Sequence, residues 1–385
     1  MSIANRFGRL TPGDLDVPYP RVATRAGQPM TARQARTQAA AWVEASLPEW
    51  PGIIGAHFVG GITIMPDDAP FRESKDIDLH LIFEEGSPAL RQSGPFMNVL
   101  EVEFGGVAIE AGVKSASEYR SAEVVLSNPE IAHHLTLDSL IYDPRGMLQA
   151  LQEQVRRDYA RRGWVLARVE HERNSLANVM ALRPMVAAQY GPLSELSLLG
   201  YGSTVLTGLL SVARLRPPRI GTGALVHLGS SLAAYYRLDL YDELLEVFGI
   251  RRLTAGEVEI WLDEATEAFD LAVATRRTPH PFQHKMHAHL RPYVIGSARD
   301  LLDTNSHREA MPWIHAVYAG ATDVLLVDGP ESDRPRWLAG RERLLAVLGS
   351  DTPAARAARF EQFQRLADRY FRLAAEIIDQ HPLVR

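Results

Sequence analysis

Asp76 and Asp78 open the stretch DIDLHLIF, whose apolar and β-branched make-up reads as a strand over 76–83. Side chains at i and i+2 of a strand leave the same face of the sheet, so these two carboxylates lie side by side and repel unless a cation sits between them. Further on, NVLEVEF and GVAIEAGVK read as two strands joined at Gly105-Gly106. A hairpin turning there sets residue 101 opposite 110 and 103 opposite 108, which puts Glu101, Glu103 and Glu110 on one face. Like charges across a ladder destabilise it, so this gathering of acids points to a divalent cation. With carboxylate oxygens as the donors, that cation is Mg²⁺ or Mn²⁺ rather than zinc. The glutamates taken alone would equally suit the solvent side of a half-exposed sheet.

Several elements must hold these residues. Thr31 with Gln34 three positions later is a capping-box start, and the alanine-rich run to residue 47 continues it as a helix. Residues 53–59 form a strand that ends at Gly60-Gly61, ahead of the aspartate strand. These elements make a mixed unit over 31–148, preceded by a lead-in, 1–30, that lacks the apolar core of a secretory signal. From about residue 146 the spacing becomes helical with Pro and Gly breaks, giving an all-helical unit over 149–385 without a detectable internal repeat. The fold class is therefore α+β.

Composition narrows the function. The chain has 385 residues, 46% of them apolar and 23% charged, enough for two cores. A formal charge of −6 without a long basic run disfavours a nucleic-acid partner. There is no cysteine, which excludes disulfides and thiolate chemistry. Residues 196–213 run without a charge, but eight of the 18 are Gly, Ser or Thr and Arg214 and Arg216 follow, which fits a buried helix better than a membrane span. A cytoplasmic address is expected, and the oligomeric state is left open, a homodimer included. Of 41 basic residues only Lys75, Lys114 and Lys285 are lysines, two of them near the acidic motif. The segment PHPFQHKMHAH, with His280, His284, His287 and His289, matches no common zinc spacing and reads as an interdomain loop lining a substrate cleft. His133-His134 reads as structural, and His80 as either a site-facing or a packed residue.

The order of strand, Gly-Gly turn, loop, Asp-hydrophobic-Asp and a further acidic strand resembles the nucleotidyltransferases of the DNA polymerase β type, aminoglycoside and other small-molecule nucleotidyltransferases above all. The resemblance is specific over about residues 53–151, where LIYDPRGMLQAL also resembles the passage between the two domains of that family. It implies that the backbone at Gly60 and Gly61 holds nucleotide phosphates, that Asp76 and Asp78 bind the metals, and that Glu110 is the third carboxylate. Gly61 stands where the family usually has serine, so the missing hydroxyl would come from Thr63 or Ser74, and the loop 62–75 is longer than usual. Lys114 shares the parity of Glu110 and would reach a phosphate, whereas Lys75 has the opposite parity to Asp76.

The implied reaction is Mg²⁺-dependent transfer of a nucleoside monophosphate, AMP from ATP, to a hydroxyl of a small molecule such as an aminoglycoside-like antibiotic, releasing pyrophosphate. The family also suggests a general base on a helix of the second unit. Glu170 and Glu172 project in different directions, and Glu172 is the candidate because Leu176 and Val179 continue its stripe. A protein that keeps the fold for nucleotide sensing, or as a regulatory or toxin–antitoxin partner, is the alternative that Gly61 favours.

Overall fold

The computed structural model describes residues 30–92, 99–219 and 221–385, so the expected lead-in lies outside the described residues up to Met30. Its first helix, α1 (Ala32–Ser46), starts on the capping box expected of Thr31 and Gln34, each satisfying the other's backbone amide. Among the described residues five strands follow: β1 (Ile53–Phe58), β2 (Asp76–Phe83), β3 (Val99–Phe104), β4 (Val107–Ser115) and β5 (Leu140–Tyr142). They form one mixed sheet in the order β3-β4-β2-β1-β5, in which β2 and β4 are parallel and the other neighbours antiparallel.

Alternation along the strands builds two different faces. One is apolar throughout: Ile77, Leu79, Leu81 and Phe83 of β2 and Ile109, Ala111 and Val113 of β4 pack against Ala35, Ala39 and Val43 of α1. The opposite face of β2 runs from buried Ile82 through buried His80 to Asp78 and Asp76. Its apolar end is covered by α3 (Ala122–Ser127), α4 (Pro129–Ala132) and α5 (Met147–Asp158), with Val125, Ile131, Leu148 and Val155 around Ile82; the short α2 (Pro88–Gln92) precedes β3. The helix after the expected unit boundary thus shares a core with the sheet. A bulge between Ile53 and Gly55 turns Ile54 to this second face while Ile53 stays in the first core.

The remaining chain is helical: α6 (Arg162–Ala181), α7 (Arg183–Ala213), α8 (Ala224–Ala233), α9 (Leu238–Phe248), α10 (Ala255–Thr275), α11 (Ser297–Asp303), α12 (His307–Asp328), α13 (Arg334–Val347) and α14 (Pro353–Gln380). A core of their own runs from Val165 to Ile378. Helix α7 breaks at Gly191, whose φ of 82° only glycine adopts without strain, ahead of Pro192. Helices α7 and α12 are long and apolar enough to cross a membrane, but 72% of each apolar window is buried inside the fold.

Candidate active site

The acidic end of the second sheet face is assembled by strand register. Asp78 pairs with Glu110 in the parallel β2/β4 ladder, and Glu110 pairs with Glu101 in the antiparallel β3/β4 ladder, so three carboxylates form a row across three strands. The hairpin register expected from Gly105-Gly106 is the one observed, with Glu103 opposite Ala108. Asp76 sits two residues before Asp78 on the same face. One oxygen each from Asp76, Asp78 and Glu110 lies within 4.8 Å of the others.

The turn after β1 closes over this group. The Val59 amide donates to the Asp78 carbonyl at 3.0 Å, and Gly60 follows with φ +64°. A Cβ on Gly60 would collide with the Asp78 carboxylate, so glycine is required both by conformation and by space. Gly61 is exposed, and a Cβ there would meet nothing within 4 Å, which leaves its backbone approachable by a ligand. Both carriers suggested for the hydroxyl missing at Gly61 are otherwise engaged. Thr63 donates to the Gly60 carbonyl at 2.7 Å and meets His134 at 3.4 Å, whereas Ser74 donates to Asp300 of α11 at 2.6 Å beside Arg72.

Lys285 is the cation between the carboxylates. Its ammonium bonds Glu101 at 2.7 Å, contacts Glu110 and lies 3.7 Å from Asp76, with the Tyr293 ring 4.9 Å away on the other side. It is delivered by a 3₁₀ turn, Pro281–Lys285, in the histidine-rich segment between α10 and α11, while Tyr293 belongs to a single π-turn, Pro292–Gly296. The Lys285 and Glu101 side chains are only 7% and 2% exposed. Burial works against the lysine charge, but Tyr293 and the surrounding carboxylates outweigh it and raise its pKa.

One ammonium does not satisfy the group. Asp76 Oδ2 and Glu101 Oε2 are buried without a hydrogen-bond partner. Burial pushes Asp76 up to about 6 and Glu101 up to about 8 despite Lys285, and burial together with the Asp76 and Glu110 charges pushes Asp78 well above the carboxylate range. An all-oxygen donor set with unpartnered lone pairs, under a glycine too close for any side chain, fits a hard divalent ion such as Mg²⁺ or Mn²⁺.

Two expected residues are placed elsewhere. Lys114 shares the face of Glu110 but lies four residues along the strand, about 13 Å away, and pairs with Glu130 at 3.3 Å and Glu118 at 3.8 Å. Glu172 is buried on α6 against α7, where a Cβ on Gly208 would lie 2.5 Å from its carboxylate. Burial first, then the Glu130 charge, pushes it up to about 8; none of the site's carboxylates acts on it. The stripe continued by Leu176 does face the interior, but that interior is the helical core rather than the acidic cluster. Glu170 is exposed beside Arg173 at 3.4 Å.

The histidines fill the ground behind the site. His57 and His80, paired across β1 and β2, both meet the Tyr119 hydroxyl at 2.8 Å, so His80 packs against the sheet's own cover and not the helical unit. In the histidine-rich segment the chemistry lies in the lysine. A signal for it was present: Lys285 is one of only three lysines among 41 basic residues.

No family model matches the sequence, and no curated protein matches it. Among solved structures, the chain is similar to a nucleotidyltransferase-like protein from Exiguobacterium sibiricum, with 11% identity over 82% of this chain and 92% of that one. The TM-score is 0.26, too low for the superposition to bear on function, which rests on the site itself.

Proposed function

We propose that the protein is a nucleotidyltransferase that moves a nucleoside monophosphate, AMP from ATP, to a hydroxyl of a small molecule with release of pyrophosphate. The observation that carries this is the convergence of Asp76, Asp78 and Glu110 on adjacent strands directly beneath the Gly60 turn. Asp76 and Asp78 would hold the divalent ion, with Glu110 as the third carboxylate. When bound, the metal supplies charge neutralisation at the α-phosphate and lowers the pKa of the attacking hydroxyl. The open backbone at Gly61 would receive phosphate oxygens, and burial of Asp76 keeps its carboxylate from being screened by water. With Glu172 packed into the helical core, Glu110 is the better candidate to accept the hydroxyl proton. The acidic cluster, with exposed Glu103 at its edge, suits a cationic polyhydroxylated acceptor of the aminoglycoside kind, and a cytoplasmic setting belongs to the same proposal.

The test is pyrophosphate release from ATP and Mg²⁺ with a panel of polyhydroxylated amines, with Asp78→Asn as control. Release with at least one acceptor, lost in the variant, is expected; ATP consumption that survives Asp78→Asn would overturn the assignment. A second reading, nucleotide sensing without transfer, is favoured by one observation: Lys285 already neutralises carboxylates that catalysis would need. It predicts ATP binding without pyrophosphate release for any acceptor.

A further inference from the structure

Resting on the metal-site reading above, we propose that Lys285 is a built-in counter-cation that competes with divalent metal for Glu110. The resting site then takes one ion, between Asp76 and Asp78, and opens its full carboxylate set only when Lys285 withdraws. The ammonium and a metal ion cannot share the position. Lys285 contacts Glu110 and bonds Glu101 at 2.7 Å, whereas Mg²⁺ bonds oxygen at about 2.0–2.1 Å, so a metal seated on Glu110 would displace the lysine.

The surroundings are built for a cation beyond the lysine. Asp76 is nine-tenths buried, and its Oδ2, 3.7 Å from the ammonium, has no hydrogen-bond partner; Glu101 Oε2 is likewise buried and unpaired. An ammonium only donates, and its contacts leave those lone pairs open. Four carboxylates therefore face one positive charge, which leaves room for a divalent ion at the Asp76/Asp78 end and competition at the Glu110 end.

The lysine also comes from outside the sheet. Its 3₁₀ turn lies 184 residues in sequence from Glu101 and 175 from Glu110, within the helical half. A shift of that turn would move the cation relative to the carboxylates, while Tyr293, whose ring lies 4.9 Å from the ammonium, belongs to the separate π-turn. The second metal position is thereby coupled to how the helical half sits on the sheet.

The experiment is titration of Mn²⁺ into the metal-free, nucleotide-free full-length protein, with free Mn²⁺ read by electron paramagnetic resonance. Wild type is expected to bind one Mn²⁺. Lys285→Met should bind it at least tenfold more tightly and take a second ion at millimolar concentration, whereas Lys285→Arg should behave as wild type. Because Lys285→Met leaves Glu101 buried and unpaired, the double variant Glu101→Gln/Lys285→Met removes both charges and should show the same tenfold gain. If wild type binds Mn²⁺ but neither variant binds it more tightly, or if both variants unfold, Lys285 is a structural clasp. The proposal is then overturned while the Asp76/Asp78 assignment stands. If no form binds Mn²⁺ at millimolar concentration, both fall together.

Discussion

At the scale of single residues, the carboxylates divide by what surrounds them rather than by what they are. Asp78 shares a partly buried row with Glu110 and Glu101 and lies within reach of Asp76, so its negative charge opposes the fold when no metal is present. Asp78→Asn should therefore melt no lower than wild type in the absence of metal, while transfer falls by 10³-fold or more; differential scanning calorimetry beside a pyrophosphate assay reads both. Glu172 is more fully buried, against Gly208 of α7 and within the influence of Glu130. Its pKa rises from 4.5 to about 8 on folding, so the stability tied to its neutral form is present below pH 4.5 and lost as pH rises through 8. Glu172→Gln should raise stability at pH 8 by roughly 1–3 kcal/mol and leave turnover unchanged. A loss of turnover with unchanged nucleotide affinity would restore it as a base.

At the scale of elements, the turn after β1 is where backbone and chemistry meet. Gly60 has a left-handed φ, and its missing Cβ leaves the space that the Asp78 carboxylate occupies, whereas Gly61 has neither constraint. Gly60→Ala should cost about 1–3 kcal/mol and weaken Mn²⁺ binding; Gly61→Ala should change stability by less than about 0.5 kcal/mol. Urea unfolding of the two variants makes the comparison. Equal losses would show that the turn relaxes and that the close approach is not a constraint. The β2/β4 pairing is the other decisive element. Because the strands are parallel and in register from Asp76/Ala108 to Phe83/Ser115, the acidic face of one extends directly into that of its neighbour.

At the scale of the whole molecule, two kinds of linkage should be visible. Ligands that bind only the folded state stabilise it by mass action, about 2.7 kcal/mol at a hundredfold excess over Kd, so millimolar Mg-ATP should raise Tm. An unchanged Tm would contradict nucleotide binding at this site. The buried histidines act with pH. His315 holds the Leu193 carbonyl at 2.9 Å, joining α12 to α7, and burial pushes its pKa from 6.5 down to about 4. A depressed histidine contributes stability that is complete above pH 6.5 and is lost as pH falls toward 4, here at most about 3 kcal/mol. His315→Gln keeps a donor for Leu193 but takes up no proton, so its stability relative to wild type should improve steadily from pH 6.5 to 4. A constant difference across that range would mean the histidine is already charged in the fold.

What the sequence determined by itself is what local periodicity controls. The two-residue repeat of a strand places Asp76 and Asp78 on one face wherever the strand goes, and a tight turn at Gly105-Gly106 leaves one hairpin register, which sets Glu101 against Glu110. The capping box at Thr31 and the change to helical spacing near residue 146 are equally local. Parity, however, says which face a side chain leaves and not how far along it lies, so Lys114 shares the acidic face yet pairs with Glu130. A stripe on a helix says that Glu172 is buried and not in which core. The cation that answers the two aspartates comes from a short 3₁₀ turn more than 170 residues from Glu110, brought there by the packing of helices α6 to α14, which carry no repeat in register with the sheet. Only tertiary structure decides such a contact, because the attraction between ammonium and carboxylate acts once the chain has closed that loop and has no counterpart in the sequence on either side of it.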